Sequence, residues 1–250
     1  MAGSATAASR PKRARGRSRG ATRRRGWLSA FANVRAAEAE LLLVIALFGA
    51  AMLARWPYLL RLPHFTDEIG EIRWALGIFN GDHFPLTAQV KYFGPLNHYI
   101  LAICFWIFGP SITLPRLVIA TFGSLTVVLT YLVGRELGGW KVGALGAALL
   151  ATLPQHIVVN SHVAWQNSTT PFYSTLAAYA VLRAVRALRD ESAGRVVPRW
   201  ARWLLLGGFV FGLVLQTHIG TVVLGPAFAG WWRGGCGGRT PPRRGGGTLP

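Results

Sequence analysis

The residues best able to do chemistry lie in one stretch, 57–94, which reads PYLLRLPHFTDEIGEIRWALGIFNGDHFPLTAQVKYFG. Asp67 and Glu68 stand side by side there, flanked by His64 and Arg73. A carboxylate in such a setting serves as a general base or as a ligand to a divalent cation. The same pair has a plainer use. Thr66 is suited to cap a helix, which puts Asp67 and Glu68 in the first turn, where the helix dipole favours negative charge. Residue chemistry alone leaves both readings open. A second polar group, His162, Trp165, Gln166 and Asn167, gathers around an aromatic ring. Trp165 is either an interface anchor or a surface on which a sugar can stack. Asn167-Ser168-Thr169 also matches an N-glycosylation sequon. No Gly-rich phosphate loop, nucleophile elbow or HExxH motif occurs. Cys104 and Cys236 supply neither a disulfide framework nor metal-ligand spacing, and Cys104 reads as a packed side chain.

The elements that must position these groups are dictated by hydropathy. Of the 250 residues, 52% are hydrophobic and only 14% charged, too little polar surface for one soluble domain. The net charge of +18 would suggest nucleic acid, but its distribution argues otherwise. Ten of the 27 basic residues precede Leu41 and six more fall within 183–202, with nearly uncharged stretches between. Basic clusters alternating with apolar runs are the mark of a multi-pass membrane protein that keeps Lys and Arg on the cytoplasmic side. Membrane lipid, and not nucleic acid, is therefore the expected surroundings.

Candidate spans are 41–56, with Arg55 snorkelling at its end, then 112–134, 142–159, 171–188 and 203–225. Each supplies roughly the 17–25 apolar residues that a bilayer core demands. Residues 95–109, bounded by two Gly-Pro pairs and containing Asn97 and His98, are short for a crossing. Were they to cross, the Arg-rich loop 183–202 would face away from the basic N-terminal arm, against the positive-inside rule. They are expected to dip into the outer leaflet only. Five spans then start in the cytoplasm and end outside. All six histidines and four acids (Asp67, Glu68, Glu71, Asp82) fall on the outer side, where function is expected. The expected organisation is a disordered basic cytoplasmic tail (1–37), a transmembrane domain (38–232) whose first outer loop (57–111) carries interfacial helices, and a low-complexity tail (233–250). Ile69, Ile72, Ala75, Leu76 and Phe79 recur at helical spacing, and Asn80-Gly81 ends the run, which predicts an amphipathic helix at the outer interface. The glycines of GALGAALL are expected to pack helix against helix.

The order TDEIGEIRWALGIFNGDHFPL, then KYFGPLNHYIL, then LPRLVIATFGSLTVVLTYLVGRELGG resembles the N-terminal half of GT-C membrane glycosyltransferases. The resemblance is to the family 39-like group that contains protein O-mannosyltransferases and aminoarabinose transferases. It continues through ALLATLPQHIVVNSHVAWQNSTTPFYSTLAAYAVLRAVRAL and covers residues from about Leu41 to Trp232.

The resemblance implies an all-α polytopic membrane protein with about five transmembrane helices, a dipping helix and an amphipathic helix in the first outer loop. It implies an integral protein of the plasma membrane with a cytoplasmic N-terminus. The implied activity moves a sugar from a polyprenyl-phosphate donor to an acceptor outside, with inversion at the anomeric carbon. Asp67 takes the place of the acidic residue beside the reaction centre, with Glu68 its neighbour. Because the lipid phosphate leaves readily, the site must supply a base and positive charge. Lys91 and Arg116 are the candidate cations, although Arg116 equally suits interfacial snorkelling. His98, His162, Trp165 and Asn167 are candidate substrate contacts. A divalent cation, magnesium or manganese, is a candidate cofactor with Asp67 and Glu68 as ligands. The KYFGPL segment, however, has Gly94 where some relatives carry a Glu, so the metal requirement stays open. Relatives are considerably longer, so the chain reads as an N-terminal portion, truncated or shifted in frame near its end. A non-catalytic partner of a larger enzyme, a homo- or hetero-oligomer, and a lipid or solute transporter are the competing readings. A transporter would favour charged or broken helices at mid-membrane depth.

Overall fold

The computed structural model describes residues 18–59, 61, 63, 65–88, 94–190 and 198–236. These are mostly helical, with no strand among the described residues. In order they form α1 (Ser18–Arg55), α2 (Thr66–Asn80), α3 (Leu96–Phe108), α4 (Thr113–Gly138), α5 (Trp140–Thr152), α6 (Pro154–His162), α7 (Thr170–Asp190), α8 (Arg199–Thr217) and α9 (Leu224–Cys236). Short 3-10 turns occupy Trp56–Tyr58, Gln166–Thr169 and Ile219–Val223. The chain divides into two compact units, Met1–Ile45 and Ala46–Pro250. The contacts that build the candidate site lie in the second.

The all-α membrane architecture expected from the sequence is found, with a smaller count of spans. Among the described residues three helices are long and apolar enough to cross a bilayer: Ala37–Arg55 within α1, α4 and α8. A fourth span results if α5 and α6 are counted together, although they meet at 68°. The bend falls where 142–159 was expected to run straight, and its cause is local. Leu153, preceding Pro154, is held extended at φ −68°, ψ 114°, and Pro154 begins the next helix. A proline disfavours helical backbone in the residue before it and is well suited to a helix's first turn. The expected span 171–188 is a helix of 21 residues but does not qualify as apolar. Its last third carries Arg183, Arg186 and Arg189; the first two pair with Glu136 of α4. The expected span 203–225 stops at Thr217, where His218 turns extended before the 3-10 segment. At the N-terminus, α1 begins at Ser18, inside the arm expected to be unfolded. That stretch is rich in Ala and Arg, which are good helix formers.

Helix α2 matches the predicted range, with two differences. Its N-cap is Phe65, not Thr66, and Glu68 completes the cap by accepting the Phe65 N–H at 3.3 Å. Its apolar face is covered by protein: Ile72, Ala75, Leu76 and Phe79 pack with Leu101 and Phe105 of α3 and Leu114 of α4. Gly81 closes the helix at φ 82°, a left-handed conformation that glycine adopts without strain. A second core joins Tyr173 and Ala177 of α7 to Val210 and Val214 of α8. Helices α4 and α5 touch through Gly134 and Gly143, so the small residue at the start of GALGAALL does bring two backbones together. Apolar side chains such as Leu53, Ile107, Leu145, Leu205 and Phe209 point outward, as membrane-facing surface requires.

Candidate functional site

The first functional relationship is an ion pair removed from solvent. Glu68 and Arg116 are 0% and 1% exposed. Arg116 Nε donates to Glu68 Oε1 at 2.8 Å and Nη2 to Oε2 at 3.0 Å. The same guanidinium donates to the main-chain carbonyls of Leu59 (3.0 Å) and Pro63 (3.1 Å). One side chain thus ties the start of α4, the segment after α1 and the first turn of α2. Glu68 and Arg116, expected respectively beside the reaction centre and at a phosphate, instead meet each other. A buried carboxylate needs such a partner, because desolvating it alone is costly. Asp67, the adjacent residue on the helix, is exposed.

One turn further along α2, Glu71 Oε2 accepts hydrogen bonds from Asn97 Nδ2 (3.1 Å) and lies 3.0 Å from His98 Nε2. His98 is buried and its ring tilts against Trp74 at 5.8 Å. His98 is therefore positioned by Glu71, a residue whose partnership the linear sequence did not reveal. His64 and Lys91 lie outside the described residues.

A third cluster surrounds Arg55, which does not snorkel but is 0% exposed. Its Nη1 donates to the Ala51 carbonyl (2.8 Å), its Nε to Ser161 Oγ (2.9 Å), and its Nη2 to His156 Nδ1 (2.8 Å). Ser161 in turn donates to the His156 carbonyl. His162, a predicted substrate contact, has its ring nitrogens on the main-chain carbonyls of Arg55 (2.7 Å) and Ile157. Its burial and these partners give it a role in joining α6 to the end of α1.

Of these clusters only the third reaches a cavity: His156 lines an open cavity of about 940 Å³ bordered by α4, α5, α6, α7 and the segment after α8. Leu149, Leu150, Leu153, Val223 and Leu224 supply apolar wall; His156, Asn160, Asn167 and His218 supply a polar end. His218 Nδ1 accepts the Gly220 N–H, which leaves the proton of a neutral ring on Nε2. Asn167 was a predicted contact, whereas His156, Asn160 and His218 were not. Their signal was present: His156 and Asn160 are one helical turn apart in an otherwise apolar stretch, and polar groups there default to function.

The loop that carries Asn167 is joined to α2 by an edge-to-face contact between Phe65 and Trp165, with centroids 5.6 Å apart. Phe65 caps the helix that begins with Thr66 and Asp67, so this contact places the exposed carboxylate's helix end beside the loop that carries Asn167. The loop is held from its other side by Gln166, whose Nε2 donates to the Gln216 carbonyl. That carbonyl also accepts the Gly94 N–H at 3.0 Å. A side chain at Gly94 would fall on Gln216, which explains a glycine in KYFGPL on packing grounds.

Of the two candidate metal ligands, Asp67 is exposed and Glu68 is already paired. Both Glu68 oxygens face Arg116, and among the described residues no group of three His, Cys, Asp or Glu side chains is arranged to hold an ion.

Apolar helices long enough to cross a bilayer, with apolar side chains facing outward, define an integral membrane protein. The chain belongs to the dolichyl-phosphate-mannose-protein mannosyltransferase family, whose model matches residues 86–232, more than half of its length. Over 126 residues it is 32% identical to the dolichyl-monophosphooligosaccharide–protein glycotransferase AglB of Haloferax volcanii, covering 47% of this chain and 12% of that protein. It thus spans a small part of that relative's length. No solved structure matches the chain at a significant level.

Proposed function

We propose that this chain forms the donor-side part of a membrane glycosyltransferase that moves a sugar from a polyprenyl-phosphate carrier to an acceptor on the extracytoplasmic face. Membership of the family supports the reaction class. The observation that carries the assignment of roles is the pairing of exposed Asp67 with buried, ion-paired Glu68. Of the two adjacent carboxylates, the exposure of Asp67 supports its role as the one that meets an incoming hydroxyl, while Glu68 and Arg116 hold its helix.

In this reading Asp67 takes the proton of the acceptor hydroxyl. The oxygen attacks the anomeric carbon from the face opposite the carrier, and the bond from that carbon to the phosphate oxygen breaks. The phosphate leaves with the electron pair and needs no proton, so the sugar inverts. Lys91 is the remaining candidate cation for the departing phosphate, and Arg116 is assigned to anchoring. Trp165 offers a ring face to the sugar, and Asn167 and His98 offer polar contacts near the cavity rim and the Glu71 cluster. The N-terminus is assigned to the cytoplasm and the protein to the plasma membrane. The cavity, apolar along most of its wall, suits the isoprenoid of the donor.

The test is Asp67→Asn, with transfer followed from a radiolabelled polyprenyl-phosphate sugar. Loss of a general base costs roughly 10²–10⁴-fold in rate. A fall of that size with unchanged membrane insertion is expected; full activity in Asp67→Asn removes the assignment.

A further inference from the structure

The cluster behind the cavity wall carries an uncompensated charge. All of Arg55's partners are neutral: a carbonyl, a hydroxyl and an imidazole, and no carboxylate pairs with it among the described residues. Arginine remains protonated and can only donate, so His156 Nδ1 must accept. The imidazole is then neutral and carries its proton on Nε2. That nitrogen, on the ring edge away from Arg55, is buried and has no hydrogen-bond partner among the described residues, while the whole side chain is only 4% exposed. His156 lines the cavity. A buried donor left unsatisfied and a buried cation left without a counter-ion are both costly, and one ligand would relieve both. It must present an acceptor oxygen bearing negative charge. The leucines and valine beside His156 make that ligand amphiphilic.

We propose that His156, polarised by Arg55, donates its Nε2 proton in a hydrogen bond to an anionic oxygen of a lipid phosphate seated in this cavity. Resting on the transferase reading, this makes His156 the contact to the carrier's phosphate and Arg55 a positioning residue that fixes the tautomer and supplies charge from behind. The arrangement delivers positive potential to the cavity without exposing a cation to hydrocarbon. Free phosphate shares the headgroup chemistry but would leave the apolar wall unused.

Two substitutions separate the ligand contact from the structural role. In His156→Asn the side-chain oxygen takes the place of Nδ1 and still accepts from Arg55, but nothing replaces Nε2. In His156→Gln the amide reaches the Nε2 position and keeps a donor there. The purified full chain in nanodiscs is titrated with dodecyl phosphate, with dodecanol and with inorganic phosphate, and binding is read by tryptophan fluorescence alongside thermal unfolding. Dodecyl phosphate is expected to bind saturably, and the other two weakly or not at all. His156→Asn should weaken dodecyl phosphate by roughly ten- to a hundredfold at an unchanged unfolding midpoint, the range for losing a hydrogen bond to a charged group. His156→Gln should retain most of the affinity. Equal binding by His156→Asn and wild type overturns the proposal, as does wild type that fails to bind dodecyl phosphate. Equal binding of inorganic phosphate or dodecanol overturns it too. Phosphate binding that depends on His156 in a protein that transfers no sugar supports the site and removes the transferase reading. Sugar transfer with binding indifferent to His156 removes the site alone.

Discussion

Glu68 and Arg116, 48 residues apart in the chain, close a two-pronged ion pair at 2.8 and 3.0 Å from which solvent is excluded. Removing one partner strands the other as a buried charge, at a cost of roughly 3–5 kcal/mol. Glu68→Leu and Arg116→Leu should each lose stability on that scale, read as a lowered unfolding midpoint in detergent micelles. The double variant should recover much of the loss, because apolar pairs of similar volume often replace buried ion pairs without penalty. If the double variant were as unstable as the sum of the singles, the pair would not be the main tie between α2 and α4.

How much of this was legible in the sequence divides by range. The end of α2 could be read from Asn80-Gly81, since a left-handed cap calls for glycine locally. The seam between α4 and α5 was signalled by small residues at close spacing. The partnerships of Glu68 with Arg116 and of Arg55 with His156 span 48 and 101 residues, and no local pattern announces them. Arg55 looked like a snorkelling end residue because its position in α1 is visible and the Ser161 and His156 that receive it are not. Helix α7 was recognisable as a helix; its arginines keep it from qualifying as an apolar span, and that Arg183 and Arg186 pair with Glu136 was not visible locally. The Asp67–Glu68 pair could be found as a pair; which carboxylate faces solvent required the packing of α2.

The close approach of α4 and α5 gives a second expectation. A methyl group built on Gly134 would lie 2.7 Å from the Gly143 Cα, and that neighbour is backbone with no side chain to swing away. Gly134→Ala must therefore separate the helices, which overpacking data put at about 1–3 kcal/mol. Gly208, in the middle of α8, has open space around the same position. Gly208→Ala should be neutral or slightly stabilising, since alanine is the better helix former by up to about 1 kcal/mol. Thermal unfolding of the two variants under one set of conditions checks the contrast, and equal destabilisation would show that helix proximity at Gly134 is not limiting.

Trp165 offers the sharpest separation of binding from chemistry. Its ring meets Phe65 edge to face at 5.6 Å, and Phe65 caps the helix on which Asp67 stands. Aromatic pairs of this kind contribute about 0.5–1.5 kcal/mol beyond the area they bury. Trp165→Ala releases the end of α2 from the loop that carries Asn167, so it should disorient the base without touching the His156 end of the cavity. Transfer should fall about tenfold, the rate equivalent of roughly 1.4 kcal/mol, while affinity for dodecyl phosphate stays at the wild-type value. Trp165→Phe keeps an edge-to-face partner for Phe65 and should restore most of the rate. A loss shared equally by Trp165→Phe would point to the indole N–H, buried and without a partner among the described residues, as the group that matters. A loss in phosphate affinity instead would mean that the loop shapes the donor cavity and not the position of Asp67.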